Sequence, residues 1–306
     1  GGGFYNGSSI EGVAYDGKNL SEYGDVVVVT VNHRLNVLGY MDLSDYGEDY
    51  QYSGNCGTAD LVASLKWVKE NIANFGGDPD NVTIFGQSGG GCKVLNMFAT
   101  SEAEGLFDQA VVQSGGEGHI DQDIAKKVTA KTLEILGISD NEVEQLKEVP
   151  YDTLDAAATE AQKQVGEELG TSVGWSPVLD EDYLHTDFLD WTNDVPVMVG
   201  SVFGEMNCWT ALDPNETNKN SWTDEEVDAK LTEKYGDKAE AVKEAFLKAY
   251  PEKSACDAYY VSNRTGDFGT LAKRLESGDN KNYNYLVSYE SPLDGGVNLW
   301  HCGEIP

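Results

Sequence analysis

The sequence is short of basic residues, of regularly spaced cysteines and of long apolar runs. Lysine and arginine number 21 against 53 aspartates and glutamates, which gives a formal net charge of −32 at pH 7. A surface with that excess of negative charge repels polyanions, so nucleic acid and anionic membranes are poor partners. The chain contains no run of about eighteen apolar residues and therefore predicts no transmembrane segment.

The five cysteines are scattered and odd in number, so their spacing specifies no disulfide framework and leaves one or two bridges open. We recognise no signal-peptide pattern within the sequence, and the compartment, cytoplasmic or secreted, stays open. A folded domain rarely begins inside a glycine-rich loop such as Gly1-Gly2-Gly3. We therefore expect both ends of the chain to have been cut from a longer protein.

Apolar segments alternate with helical patterns along the chain. The predicted strands are Val26–Val31, which we expect to be central and covered on both faces, then 81–85, 107–113, 195–200 and 283–289. Helices are predicted between them. This alternation predicts one α/β domain over residues 1–306, with a mostly parallel, doubly wound sheet that is truncated at both ends. Helical, lid-like insertions are expected at 119–180 and 210–280.

The segment Phe85-Gly86-Gln87-Ser88-Gly89-Gly90 contains Gly-x-Ser-x-Gly between a predicted strand and a predicted helix. This is the pattern of a nucleophile elbow, in which a strained turn exposes the serine hydroxyl above the sheet. The helix that follows directs its positive N-terminal end towards a developing oxyanion. An ordinary glycine-rich turn rarely falls at a strand-to-helix junction, so we interpret Ser88 as a nucleophile.

The first residues of the chain supply a second element of acyl-transfer chemistry. Successive glycines let bare N–H groups approach a substrate carbonyl, as an oxyanion hole requires. Gly2, Gly3 and Gly89 are the predicted donors. A flexible linker is the alternative, and the aromatic pair Phe4-Tyr5 argues against it.

A general base can be chosen by position, because the chain has only four histidines. His301 alone follows the last predicted strand, which matches the order serine, acid, histidine. Glu205 follows the strand at 195–200 and is a candidate for the acid that orients the histidine. Three aspartates remain as rivals for that role: Asp180, Asp182 and Asp194.

Several further segments, taken in order, resemble landmarks of the type-B carboxylesterase/cholinesterase family, and a bacterial-type carboxylesterase fragment in particular. They include residues 1–9, 32–35, 54–57, 67–72, 75–79, 82–88, 113–115, 177–180, 200–205 and 301–306. The resemblance spans essentially the whole chain. It implies the α/β-hydrolase fold and the hydrolysis of a small carboxylic ester without a cofactor. It also implies a triad of Ser88, Glu205 and His301, with Gly2, Gly3 and Gly89 as the oxyanion hole.

Two departures from the family stand at the elbow. The family commonly has Glu before the serine and Ala after it, where this chain has Gln87 and Gly89. We expect the neutral Gln87 to remove a buried charge near the base and Gly89 to loosen the oxyanion donor. Aromatic side chains that could form the walls of a substrate pocket are Phe4, Tyr5, Trp175 and Phe203.

Two other interpretations compete with an esterase. Some relatives of this family are cell-adhesion proteins that keep the fold and lose the nucleophile, so a non-catalytic binding module is the main alternative. The complete set Ser88, Glu205 and His301 argues against it. A metal site at His301, Cys302 and Glu304 is disfavoured because neighbouring ligands on one loop rarely converge on one ion.

Overall fold

The computed structural model describes residues 1–205, 222–261, 264–276, 281–292 and 296–305. Its centre is a four-stranded, wholly parallel sheet with the order β1-β2-β5-β6. These strands are β1 Thr83–Gln87, β2 Gln109–Gln113, β5 Val197–Val202 and β6 Asn282–Val287. The alternation of strands and helices predicted for an α/β-hydrolase is therefore confirmed. Because the strands are parallel, the segments after their carboxyl ends meet at one edge of the sheet.

Four short strands form two further pairs. The parallel pair joins β3 Ile120–Asp121 to β4 Val178–Leu179, and the antiparallel pair joins β7 Glu290–Ser291 to β8 Val297–Asn298. The helices are Lys18–Gly24, Asn36–Tyr40, Cys56–Asn71, Gly89–Phe98, Gln122–Leu136, Tyr151–Leu169, Asp224–Tyr235, Ala239–Ala249, Asp257–Tyr260 and Thr265–Glu276. In the described residues, none of them is both long and apolar enough to cross a membrane.

The sheet is anchored by a core between its strands and the helices Cys56–Asn71 and Gly89–Phe98. Val112 of β2 and Val199 of β5 have no exposed surface, and they pack in one cluster with Phe98, Phe107 and Val62. Most residues of β5 and the alternate residues Ala110 and Val112 of β2 are buried, which fits the β-branched and small side chains of these strands.

The prediction of a central strand at Val26–Val31 is wrong. The segment forms no strand, and Val26, Val27, Val29 and Val31 are each exposed to between 36% and 46%. The reason is that no described strand lies beside it, since β1 is the edge of the sheet. A β-branched run indicates strand propensity, but propensity without a hydrogen-bonding partner does not form a sheet.

The two predicted insertions contain helices. Gln122–Leu136 and Tyr151–Leu169 lie within 119–180, and the helices from Asp224 to Glu276 lie largely within 210–280. A capping box begins the helix Asp224–Tyr235, in which the Thr223 hydroxyl accepts from the Glu226 N–H while the Glu226 carboxylate accepts from the Thr223 N–H. Residues 210–221, Cys208 and Pro306 lie outside the described residues. A lid function for either insertion stays a prediction.

Candidate active site

Ser88 occupies a strained position between β1 and the helix Gly89–Phe98, which we call the elbow helix. Its backbone has φ 57° and ψ −125°, a region that non-glycine residues rarely adopt and that costs on the order of 1–3 kcal/mol. The turn is held because the Ser88 N–H donates to the Gln113 carbonyl at 2.8 Å and the Cys92 N–H to the Ser88 carbonyl at 3.0 Å. Gly86 must lack a side chain, since a Cβ there would lie 2.3 Å from the Gly90 carbonyl carbon.

The glycine-rich loop at residues 1–3 lies directly against the N-terminus of the elbow helix. A Cβ on Gly89 would lie 2.4 Å from the N, Cα and O atoms of Gly3. Gly2 and Gly3 both have positive φ, at 74° and 63°. The missing Cβ of Gly89 therefore brings the two backbones together, a different role from the loosening expected from the sequence. The structure places all three predicted oxyanion donors in one neighbourhood.

Glu205 and His301 form a close pair. Glu205 follows the carboxyl end of β5, and His301 follows β8. The His301 Nδ1–H donates to Glu205 Oε2 at 2.6 Å, and the two side chains are 19% and 13% exposed. Two backbone bonds hold the loops together, from the His301 N–H to the Glu205 carbonyl and from the Gly204 N–H to the Leu299 carbonyl, each at 3.0 Å. A short, largely buried pair of this kind fixes the tautomer of the imidazole, with the proton on Nδ1 and the lone pair on Nε2.

The Glu205 carboxylate accepts two further hydrogen bonds. Burial by itself would raise its pKa, but the bonds from His301, from the Ser114 hydroxyl at 2.7 Å and from the Val202 N–H at 2.9 Å together lower the pKa below its usual value. Glu205 is thus held ionised beside the imidazole. Behind it lies Glu304, whose pKa is raised by burial and by the nearby Glu205 charge.

The other ring nitrogen of His301 faces Gln87, the residue that precedes Ser88. The Gln87 side-chain amide donates to His301 Nε2 at 3.5 Å, and the Cys302 thiol donates to Gln87 Oε1 at 3.1 Å. Gln87 is only 7% exposed. Among the hydrogen bonds of the described residues, none joins the Ser88 hydroxyl to His301. The imidazole therefore lies beside the elbow with its Nε2 engaged by Gln87.

The rival acids have other partners or positions. Asp180 Oδ1 accepts from three backbone N–H groups, of residues 182, 183 and 184, so this carboxylate caps a turn. Asp182 accepts from the Tyr52 hydroxyl at 2.6 Å, and Asp194 is an exposed residue at the end of a short 3₁₀ helix. Within the described ranges, no group of three or more His, Cys, Asp or Glu side chains is arranged to hold a metal ion.

The predicted pocket aromatics are not all accessible. Phe4 and Trp175 are 5% and 6% exposed and belong to one core cluster, whereas Tyr5 is 46% exposed and accepts from the Trp175 N–H at 3.1 Å. Phe203 has no exposed surface and packs edge-on against Phe246 and Tyr250. A role for these four in a substrate pocket stays a prediction.

Sequence reasoning gave no role to Ser114 or Lys93, and it offered Glu304 only as a ligand of the disfavoured metal site. Ser114 follows β2 directly, with φ 50°, and its hydroxyl donates to Glu205. Its position after a strand end is a signal that could have drawn attention to it. Lys93 gave no such signal, because a lysine in a helix is usually exposed, whereas this one is 8% exposed.

Similarity to known proteins identifies the family of the chain. The model of the Carboxylesterase family matches residues 1–273. The chain belongs to this family. Carboxylesterase-family relatives include the para-nitrobenzyl esterase of Bacillus subtilis, 43% identical over 158 residues that cover 52% of this chain and 32% of that protein. Neuroligin-2 of Mus musculus is 46% identical over 114 residues, which cover 36% of this chain and 13% of that protein.

Solved structures resemble the chain over its whole length. An esterase from Clostridium hathewayi, described as able to hydrolyse aliphatic aromatic polyesters, superposes with a TM-score of 0.85 at 42% identity and covers all of this chain and 62% of its own. A carboxylesterase of Geobacillus stearothermophilus gives a TM-score of 0.70 at 33% identity, covering 98% of this chain and 63% of its own. The predicted family and fold are confirmed. The matched chain spans less than two thirds of these relatives.

Proposed function

We propose that this carboxylesterase-family chain hydrolyses small carboxylic esters, with Ser88 as nucleophile, His301 as general base and Glu205 as the residue that orients His301. The observation that carries the proposal is the 2.6 Å pair of His301 and Glu205 beside a serine held in a strained strand-to-helix turn. Backbone strain of this kind persists where the surrounding structure enforces it and is concentrated at active sites.

The reaction proceeds in two acyl-transfer steps. His301 Nε2 takes the proton of the Ser88 hydroxyl as Oγ attacks the ester carbonyl, and the ionised Glu205 stabilises the imidazolium. The tetrahedral intermediate collapses, the alcohol leaves with the proton from His301, and the acyl group stays on Ser88. Water, deprotonated by the same imidazole, then releases the acid and restores Ser88. The reactants are the ester and water alone.

The N–H groups of Gly2, Gly3 and Gly89 are the proposed donors to the oxyanion. The first N–H groups of a helix have no intrahelical acceptor, so the Gly89 N–H is available to a ligand. The close approach of Gly3 to Gly89 supports a shared site for these donors. Each such donor is worth about 3 kcal/mol of barrier lowering.

One contact must change before Ser88 can transfer its proton. The Gln87 amide lies 3.5 Å from His301 Nε2, at the outer limit of a hydrogen bond, so turning the imidazole towards Ser88 breaks only a weak interaction. Catalytic hydrogen bonds are often long without substrate and tighten in the complex. We expect a bound ester to bring Ser88 and His301 into contact.

The test is the hydrolysis of p-nitrophenyl acetate by the full chain. We expect Ser88→Ala to abolish turnover while the protein remains folded. The matched control is Ser64→Ala, because the Ser64 hydroxyl donates only to the Leu61 carbonyl within the helix Cys56–Asn71, and this variant should keep full activity. Turnover that persists in Ser88→Ala would refute the proposal. No turnover by the unaltered chain would favour a non-catalytic binding module.

A further inference from the structure

A buried lysine connects the elbow helix to the glycine-rich loop. Lys93 is five residues after Ser88 and is 8% exposed. Its Nζ donates to the Gly3 carbonyl at 2.6 Å and to the Gly1 carbonyl at 3.3 Å, and it lies 5.2 Å from the centre of the Phe4 ring. All of its polar contacts in the described residues are therefore with the loop that carries the proposed oxyanion donors.

These contacts fix the direction of specific N–H groups. In a trans peptide, the C=O and the N–H of the same unit point in opposite directions. Because the Gly1 carbonyl points at Lys93, the Gly2 N–H points away from Lys93. The next carbonyl, of Gly2, accepts from the Tyr5 and Asn6 N–H groups at 3.3 Å each, so the Gly3 N–H points away from that turn.

The loop has few other means of holding this conformation. Gly2 and Gly3 carry no side chains to pack, and glycine loses more conformational freedom on ordering than any other residue. The two carbonyls bound by Lys93 flank the Gly2–Gly3 peptide on both sides. Burial lowers the pKa of the Lys93 ammonium to about 8, because the buried charge loses its contacts with water.

We propose that Lys93 is a positioning residue for the oxyanion hole: its bond to the Gly1 carbonyl orients the Gly2 N–H of the same peptide unit, and its bond to the Gly3 carbonyl fixes the far side of the Gly2–Gly3 peptide, so that the Gly2 and Gly3 N–H groups face the tetrahedral oxygen. The inference rests on the proposed ester hydrolysis at Ser88. Lys93 touches neither the ester nor Ser88, and it acts through the loop.

The test compares Lys93→Met, which keeps the length of the side chain without donors, with Lys93→Arg, which restores donors. For p-nitrophenyl acetate we expect Lys93→Met to lower kcat by roughly 100-fold, the loss typical of one oxyanion donor, with KM within about threefold. Lys93→Arg should restore kcat to at least a tenth of the value of the unaltered chain. Affinity for a trifluoromethyl ketone, which binds as a tetrahedral adduct, should fall in parallel with kcat/KM.

A packing role alone would lower the unfolding temperature and raise KM while sparing kcat, and that result would overturn the proposal. So would a folded Lys93→Met variant with kcat within threefold of the unaltered chain. If Ser88→Ala also retains turnover, the proposed function itself is wrong. If Ser88→Ala is inactive but Lys93→Met keeps its kcat, only the role of Lys93 is wrong. The two failures are thus distinguishable.

The pH profiles of the unaltered protein and of Lys93→Arg apply even if Lys93→Met does not fold. The titratable groups facing the ammonium are the Cys92 thiol on its own helix, the His33 imidazole and the Gly1 amino group. We expect kcat to fall as pH rises through about 8, where Lys93 loses its proton, and the fall to be absent in Lys93→Arg, because arginine stays charged. A fall that persists in Lys93→Arg would assign it to the other groups and contradict the proposal.

Discussion

The substitution Gly89→Ala tests how the oxyanion loop is packed. It restores the residue that the family commonly has after its serine, yet the new Cβ would lie 2.4 Å from the N, Cα and O of Gly3. Ordinary contacts begin at 3.4 Å, so the Gly3 backbone must retreat by about 1 Å. An oxyanion donor acts at about 2.7–3.1 Å, and a retreat of that size removes its hydrogen bond. We therefore expect kcat to fall roughly 100- to 1,000-fold.

The assay is steady-state hydrolysis of p-nitrophenyl acetate together with thermal unfolding. The matched control is Gly269→Ala in the helix Thr265–Glu276, where a new Cβ meets nothing within 4 Å. That control should keep full activity and gain about 0.5–1 kcal/mol of stability. A Gly89→Ala variant with kcat within threefold of the unaltered chain would refute the packing argument, because the loop would then have relaxed without loss of the donor.

Three further predictions concern charged side chains. Glu205→Gln replaces the acceptor of the 2.6 Å bond from His301 and should lower kcat by about 10⁴-fold, with KM little changed; activity within tenfold would contradict its role. Glu304 has a raised pKa in the fold, so its ionisation opposes folding, and Glu304→Gln should gain stability relative to the parent as pH rises from the ordinary glutamate pKa of 4.5 through the raised pKa. Thermal unfolding across that range checks the sign, and a gap that shrinks with pH would contradict it. Arg274→Met should destabilise by about 2–6 kcal/mol in denaturant titrations, since the fully buried guanidinium donates to two backbone carbonyls at 2.7 and 2.6 Å and each acceptor left unpaired costs about 1–3 kcal/mol; a loss under 1 kcal/mol would show that they find other donors.

Local patterns explain what could be predicted from the sequence. The turn at Ser88 is specified by glycines within a few residues, and the burial of β2 and β5 requires β-branched runs that are visible in the sequence. The order of residues then indicated His301, the resemblance to the family selected Glu205 among several candidate acids, and the structure brings those two together. Their joint action with Ser88 is a proposal.

Contacts between distant segments explain what could not be predicted. Gln87 meets Cys302 across 215 residues, and Lys93 meets Gly3 across 90, so neither pair leaves a pattern in the sequence. The segment Val26–Val31 failed for the opposite reason. Its local pattern favours a strand, but strand formation depends on a neighbour that the described residues do not supply.

The proposed ester hydrolysis depends most directly on Ser88 as the activated nucleophile. A phosphonofluoridate forms a stable covalent adduct with an activated serine, and peptide mass spectrometry locates that adduct. We expect a single modified peptide carrying Ser88, labelled in the unaltered chain, much more slowly in Glu205→Gln and not at all in Ser88→Ala. Labelling of a different residue by a chain that hydrolyses esters would contradict the account.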